Sequence, residues 1–359
     1  MINLFCIRPK GFNVGNDVIY IGLKIFISHA FGDFVNLISL PATSRYESSA
    51  KSGLTSKTIY EMNQYGHGVI IGGGNLYENG ELDVDLNALQ ALEIPLFLFS
   101  LSRGRIYNRN LALVDRTDAM SDRVVKALND KAMFSLARDR ATLSYLKSIG
   151  VDKAEVSGCP TVFLGEMLPT PTVSTPKYRE TVLISVRHPS LMNIPPFLQS
   201  GVYSDIPAIV DFLRTEGFRD VKLLCHDHRD ISFAITFKGL EYIYTEDANS
   251  YLEMLRNCAL NISYRLHASL PCISFGIPTI QINYDERAIS LMETLELGDW
   301  GINLCTEKDV INAVRDRYRR LSELKALVSA ARRQWNILYR TITRAFAGFA
   351  SKIQEEGVK

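Results

Sequence analysis

Along the first half of the chain, short runs that are apolar at every position alternate with segments whose apolar residues recur every three to four positions. Gly68–Ile71 (GVII) and Pro95–Phe99 are runs of the first kind and predict strands buried on both faces. Val18–Phe31 and Leu82–Leu92 have the helical period, as does Ala141–Ile149, which ends at Gly150 as a C-cap would. The opening MINLFCIRPKGFN has too short an apolar run for a signal peptide and reads as a first strand. The rhythm restarts later, with strands predicted at Thr181–Val186 (TVLISV), Val221–Cys225, Tyr242–Tyr244, Ala259–Ser263 and Thr279–Ile282. Helices are predicted between them at Ile206–Glu216, Ser250–Asn257 and His267–Phe275. Such strands separated by helices predict an α/β fold with parallel sheets.

Between the two halves, Leu168–Lys177 (LPTPTVSTPK) has three prolines and no periodicity, the composition of an extended linker. The expected organisation is a Rossmann-like domain over residues 1–167 and a linker over 168–178. A second Rossmann-like domain then spans 179–305, and a long C-terminal helical segment over 306–359 packs across both. Two such domains face a cleft, with ligands at the carboxyl ends of the strands. The helical segment carries eleven Lys/Arg between Lys308 and Lys352, opposed there by Asp309, Asp316 and Glu323. It predicts a docked helix with a solvated basic face; peripheral contact with an anionic membrane surface is the alternative.

A length of 359 residues agrees with two domains of about 150 each. Lys+Arg number 40 against 39 Asp+Glu, which excludes a basic nucleic-acid coat and an acidic disordered tail. The most apolar stretch, Ile94–Leu101, is far shorter than the roughly 18 residues a spanning helix needs. Cys6, Cys159, Cys225, Cys258, Cys272 and Cys305 stand singly, without metal-ligand spacing. They read as reduced, buried thiols, and the expected location is cytoplasmic, with any membrane contact peripheral at the inner face.

Three segments carry candidate chemistry. Val69–Leu76 runs into Gly72, Gly73 and Gly74, which lets the backbone come close to a ligand or to a neighbouring segment; the spacing is neither a dinucleotide fingerprint nor a P-loop. Arg265 and His267 stand at a strand end and helix start, where they would converge on an anion with free backbone N–H groups. Equally, Arg265 would bridge to a carboxylate and His267 serve as a capping or core histidine. Arg187 ends the first strand of the second half, and Arg287 follows Asn283-Tyr284-Asp285-Glu286. Arginines converging from neighbouring strand ends are costly unless an anion compensates them. The trio Arg187, Arg265 and Arg287 therefore predicts a compact dianion bearing phosphate and carboxylate. His226 and His228, with Asp227 and Asp230, form a pattern too loose for a metal site and read as a cleft rim or a plain loop.

Several short motifs, in order, carry a family resemblance. Asn13-Val14-Gly15-Asn16-Asp17 resembles an Asn-x-Gly-Asp turn with one residue inserted, and Gly72-Gly73-Gly74-Asn75-Leu76 a Gly-Gly-Gly segment after a strand. Ala137-Arg138-Asp139-Arg140-Ala141-Thr142, with Leu146 and Gly150, is similar to an Arg-Asp-x-x-Ser…Leu…Gly stretch. Arg265-Leu266-His267, with Gly276-Ile277-Pro278 and Tyr284, resembles an Arg-x-His…Gly-x-Pro…Tyr-x-x-Lys block in which Arg287 replaces the Lys. Together they resemble the polysaccharide pyruvyl transferases, which move a pyruvyl group from phosphoenolpyruvate onto a sugar as a ketal. The resemblance implies a GT-B-like arrangement with the donor between two Rossmann-like domains. It implies donor binding by Arg187, Arg265, His267, Arg287 and Tyr284, and an acceptor side built from Gly73, Gly74, Asn75, Arg103 and Asp139.

In the implied reaction His267 assists proton transfer or phosphate departure, Arg265 holds the donor, and Asp17 or Asp139 acts as base toward the acceptor. The expected partners are phosphoenolpyruvate and a glycan or lipid-linked oligosaccharide acceptor, with no nucleic acid, cofactor or metal. A nucleotide-sugar-dependent glycosyltransferase of the same architecture, and a divergent non-catalytic binder of a phosphorylated metabolite, are the alternatives.

Overall fold

The computed structural model describes residues 1–32, 35–45, 51–78, 80–169 and 176–357; most of the predicted linker, residues 170–175, lies outside the described residues. The N-terminal half contains β1 (Ile2–Arg8), α1 (Val14–Phe31), β2 (Val35–Pro41), α2 (Ser56–Tyr65), β3 (Gly68–Gly74), α3 (Leu86–Gln90) and β4 (Leu96–Leu101). A small hairpin of β5 (Ile106–Tyr107) and β6 (Leu113–Val114) leads to α4 (Asp122–Lys131), β7 (Phe134–Ala137), α5 (Arg140–Ser148), β8 (Glu155–Val156) and α6 (Leu164–Met167). The C-terminal half contains β9 (Thr181–Val186), α7 (Pro196–Thr215), β10 (Asp220–Cys225), α8 (His228–Ala234), β11 (Glu241–Tyr244) and α9 (Ala248–Asn257). It continues through β12 (Leu260–Ser263), α10 (Leu266–Ser274), β13 (Thr279–Asn283), α11 (Glu286–Thr294) and β14 (Ile302–Asn303) to α12 (Val310–Arg319) and α13 (Leu321–Gly357).

Both halves are six-stranded parallel sheets, in the orders β2-β1-β3-β4-β7-β8 and β11-β10-β9-β12-β13-β14. In each, the chain winds outward from a central strand, returns and winds the other way. The crevice at that reversal lies between β1 and β3 in one sheet and between β9 and β12 in the other. Open sheets of this kind bind ligands at such a switch point, beyond the strand ends. The predicted strand at Thr181–Val186 matches β9 at both ends, and α7 begins ten residues before its predicted start because Pro195 and Pro196 open it. Leu82–Leu92 is helical only over α3, which Asp85 caps by accepting from the Asn87 and Ala88 N–H groups.

One apolar core is shared by the halves. Phe26, Phe97, Phe99, Phe346 and Phe349 pack in it with Leu291, Leu295 and Trp335, and Trp335 Nε1 donates to the Leu295 carbonyl at 2.9 Å. Helix α13 thus lies across both sheets. Part of its basic face is ion-paired, Arg332 with Glu166 and Arg344 with Glu155, and Arg320, just before it, pairs with Asp316 and Glu323. Among the described residues no helix is long and apolar enough to cross a membrane, and all six cysteines are free and buried.

Strand β3 continues through all three glycines, and Gly72 and Gly73 make room for α1 packed upon it. A Cβ on Gly72 would lie 2.4 Å from Leu23 Cδ2, and one on Gly73 2.2 Å from Ile19 Cγ2. Gly73 also has φ +63°, where a side chain is strained. Gly276 has φ +77° with nothing within 4 Å of its added Cβ, so it isolates the backbone term. Thermal unfolding should show Gly73→Ala destabilised by about 2–4 kcal/mol and Gly276→Ala by about 1 kcal/mol. Equal losses would show that the approach of α1 does not demand the glycine.

Candidate functional site

The two switch points face each other, and arginines leave the strand ends between them. Arg187 follows β9 directly. Arg265 occupies the N-cap of α10, where Ser263 Oγ accepts from its N–H at 2.9 Å and donates to its carbonyl at 2.8 Å. The Tyr264 N–H donates to the Ser185 carbonyl at 2.9 Å, which sets both strand ends in register. Arg187 and Arg265 reach toward one buried carboxylate, Asp230: Arg187 Nη1 is 3.7 Å from Oδ1 and Arg265 Nη1 is 3.9 Å from Oδ2. These separations exceed hydrogen-bonding distance. Asp230 Oδ1 accepts instead from the His188 N–H at 3.0 Å. Asp227, also 3.7 Å from Arg187 Nη1, is occupied by Arg229, whose Nε lies 2.8 Å from Oδ1. Burial alone would raise the Asp227 carboxyl, yet Arg229 and Arg187 bring it down to about 2.

The cavity between the halves has a volume of about 310 Å³. Its N-terminal wall includes Asn13, Asn16, Arg45, Asn75, Glu81, Arg116, Asp118 and Arg138. Its C-terminal wall includes Arg187, Arg229, Tyr264, Arg265, His267, Tyr284, Asp285 and Arg287. Several arginines are neutralised on site: Arg116 Nε sits 2.8 Å from Asp118, and Arg287 Nη1 sits 2.7 Å from Glu78. Arg187 and Arg265 have only the longer contacts to Asp227 and Asp230, and Arg138 has no ion pair within 4.0 Å among the described residues; their side chains or residues are 14%, 7% and 3% exposed, respectively. Arg138 Nε, Arg187 Nε and Nη1, Tyr264 OH and His267 Nε2 are all buried there without a hydrogen-bond partner. The Arg187 guanidinium is pushed down to about 10 by burial and by the neighbouring Arg265. Burial, then Arg138, Arg265 and Arg287, hold the His267 imidazole well below its ordinary 6.5, so these surroundings favour its uncharged form. A cavity of buried, loosely paired cations and orphaned polar atoms is built for a small anion.

The N-terminal turn of α1 closes one side. Asn13 caps it, its Oδ1 accepting from the Gly15 N–H at 3.0 Å, and the Val14 N–H crosses to the His226 carbonyl at 3.0 Å. An added Cβ on Gly15 would lie 2.9 Å from His267 Nδ1. This motif lets the turn touch the imidazole.

The structure brings together Arg187, Arg265, His267, Arg287, Tyr284 and Asn75, and separates the other expected site residues from them. Arg287 lines the cavity but does not complete a free trio, because Glu78 and Asp285 hold it. Burial lowers its pKa, and those two carboxylates more than reverse the shift and raise it above its ordinary value. Asp17 lies in a separate cleft with Lys10, Phe12 and Glu246, and Arg8 Nη1 grips it at 2.7 Å, so it faces away from the cavity as a base. Gly73 and Gly74 do not line the cavity, Gly73 being packed against Ile19. Arg103 stacks on Tyr145 at 3.9 Å and pairs with Asp115 and Asp122 outside the cavity. Asp139 is buried as the N-cap of α5, accepting from the Thr142 N–H at 2.9 Å. His226 is buried with Nε2 2.6 Å from Tyr251 OH, and His228 packs edge-on against Phe12. Arg138 was missed, although it ends β7 as Arg187 ends β9, and the same strand-end argument finds it.

Similarity to known proteins agrees with this geometry. The chain is 30% identical over 95 residues to the amylovoran biosynthesis protein AmsJ of Erwinia amylovora, a match spanning 25% of this chain and 22% of that protein. Among solved structures, the S. aureus MnaA–UDP complex superposes with a TM-score of 0.56 at 13% identity, covering 92% of this chain and 91% of that one. The UDP-GlcNAc 2-epimerase of Neisseria meningitidis bound to UDP-GlcNAc gives 0.55 at 9% identity, covering 99% and 100%. At such identities these neighbours establish the fold, two Rossmann-like units facing a cleft in the GT-B manner. The profile of the polysaccharide pyruvyl transferases matches residues 13–286, from the Asn13 cap through Arg138, Arg187, Arg265 and His267 to the start of α11, and the chain belongs to that family of transferases.

Proposed function

We propose that the protein transfers a pyruvyl group from phosphoenolpyruvate to two hydroxyls of a glycan acceptor, forming a ketal in polysaccharide biosynthesis. The observation that carries this reading is the set of poorly compensated guanidinium groups in the cleft of a chain of this family. Arg187 and Arg265 share one carboxylate that neither reaches. Phosphoenolpyruvate combines a phosphate and a carboxylate in one small molecule, and a cavity of about 310 Å³ suits a compact donor.

The reaction adds a proton to the donor's methylene carbon, leaving positive charge on the carbon that bears the phosphate. A sugar hydroxyl bonds to that carbon and releases its proton. The carbon–oxygen bond to phosphate then breaks, phosphate leaves with its bonding pair, and the second hydroxyl closes the ring and gives up its own proton. Arginine contacts favour departure by taking up charge on the phosphate. His267 is the acid of this scheme. Its imidazole is uncharged while only arginines surround it, and a bound anion offsets their repulsion so that the ring can carry a proton to the donor. Acceptor hydroxyls face the N-terminal wall, where Asn75, Glu81 and Asp118 supply polar groups. This replaces the acceptor set of Gly73, Gly74, Arg103 and Asp139.

Arg265→Ala should weaken phosphoenolpyruvate binding by about 2–4 kcal/mol, because the bound anion would lose a buried charge partner. Incubation of the protein with phosphoenolpyruvate and a panel of glycans should release phosphate and add pyruvyl mass to an acceptor. Binding of UDP without any binding of phosphoenolpyruvate would select the glycosyltransferase reading instead.

The depressed imidazole also sets a pH dependence. The unfolded chain protonates His267 near 6.5 and the folded chain only at lower pH. Its stabilising contribution is therefore complete above about 6.5 and is lost as pH falls. A melting series from pH 7.5 to 5 should show the midpoint of the free protein dropping, with a shallower drop in His267→Gln. An unchanged slope would mean that the imidazole is already charged when the site is empty.

A further inference from the structure

Helix α10 carries both His267 and a proline, Pro271, one turn further on. That is the spacing at which a helical carbonyl accepts the N–H of a later residue. Pro271 has no N–H, and its ring crowds the carbonyl it faces. The His267 carbonyl therefore lacks its helical partner, and α9 supplies another: Tyr251 OH donates to it at 3.3 Å. Tyr251 is fully buried, and His226 Nε2 braces the same hydroxyl at 2.6 Å. The His226 carbonyl in turn accepts the Val14 N–H at 3.0 Å, so this chain of contacts ends on the α1 turn of the opposite half.

A phenol has one proton to give. The carbonyl can only accept, so that proton lies toward His267, and the short contact is the His226 Nε2–H donating to the Tyr251 oxygen. Only this arrangement makes both bonds at once. Burial raises the Tyr251 hydroxyl well above its ordinary 10, which keeps its proton in place. Burial, then Arg265, His267 and Arg187, hold the His226 imidazole well below its ordinary 6.5, which favours a neutral ring with one N–H. The orientation of His267 depends on this chain. Its Nδ1 faces Gly15, where an added Cβ would lie 2.9 Å from it, and its Nε2 is buried without a partner in the residue that lines the cavity. A turn of the His267 peptide would swing Nε2 off the donor. Resting on the role given to His267 above, we propose that Tyr251 and His226 are positioning residues, which replace the helical hydrogen bond that Pro271 withholds and so hold the His267 imidazole toward the donor.

The test compares wild type, Tyr251→Phe, Pro271→Ala and the double variant. Nitrogen NMR of the histidine rings in the free wild type should show the His226 proton on Nε2; a proton on Nδ1 instead would overturn the chain. Tyr251→Phe should bind phosphoenolpyruvate within about threefold of wild type by calorimetry. Its phosphate release at saturating phosphoenolpyruvate, with an acceptor from the glycan panel, should fall about tenfold. Pro271→Ala restores an N–H opposite the His267 carbonyl, so the further loss on adding Tyr251→Phe to it should shrink to about twofold. A tyrosine that only stabilises the fold would lower the melting midpoint and leave the rate of the folded protein unchanged. An unchanged rate in Tyr251→Phe, or the same loss in both backgrounds, would overturn the positioning role. Absence of phosphoenolpyruvate binding or of phosphate release in wild type would instead overturn the donor reading, and this inference with it, even with the His226 proton on Nε2.

Discussion

Unbalanced buried charge organises the cleft. Arg138, Arg187 and Arg265 are enclosed around a space in which Arg187 and Arg265 share Asp230, which lies beyond hydrogen-bonding reach of both. Removing a guanidinium from water is expensive, and imperfect pairing returns little of that cost. The parallel sheets make the arrangement possible because strand ends and helix starts at a switch point deliver side chains to one place from segments far apart in sequence. Stability is relinquished locally in favour of an anion-shaped electrostatic field, and the apolar core shared by the two halves offsets the loss.

The same pocket contains arginines with a different task. Arg287 is held by Glu78 from the opposite half and by its near neighbour Asp285. Arg105 likewise meets Glu286, its Nη2 2.6 Å from Oε1. With the hydroxyls of Ser290 and Thr294 on the first turn of α5, these contacts fasten α11 to the N-terminal sheet. Side chains of one chemical type thus divide into those that join the halves and those left to a ligand. The difference lies in whether a carboxylate reaches them.

That division marks how far the sequence could be read. The strand-end positions of Arg187 and Arg265 were legible because the mostly apolar strand-like segments TVLISV and ALNIS end immediately before or very near them. The fate of Arg287 was not, since Glu78 precedes it by 209 positions and only the folded chain pairs them. Arg138 and Asp139 are adjacent, and the Arg138 charge works against the effect of burial on the Asp139 carboxyl. Local chemistry assigned Asp139 to the cap of α5. The triple glycine offered two readings from the start, and Ile19 decided for a neighbouring helix over a ligand. Asp17 stands beside the Asn13 cap in sequence but on another face of α1, where Arg8 claims it.

Helix α13 has a mechanical consequence. Its 37 residues extend about 55 Å. Leu321 packs in the core of the C-terminal sheet, Trp335 is tethered to Leu295, and Phe346 and Phe349 are buried against Phe97 of the other sheet. A rod seated on both bodies resists their being pulled apart at the back of the molecule far more than their rotation about its own axis.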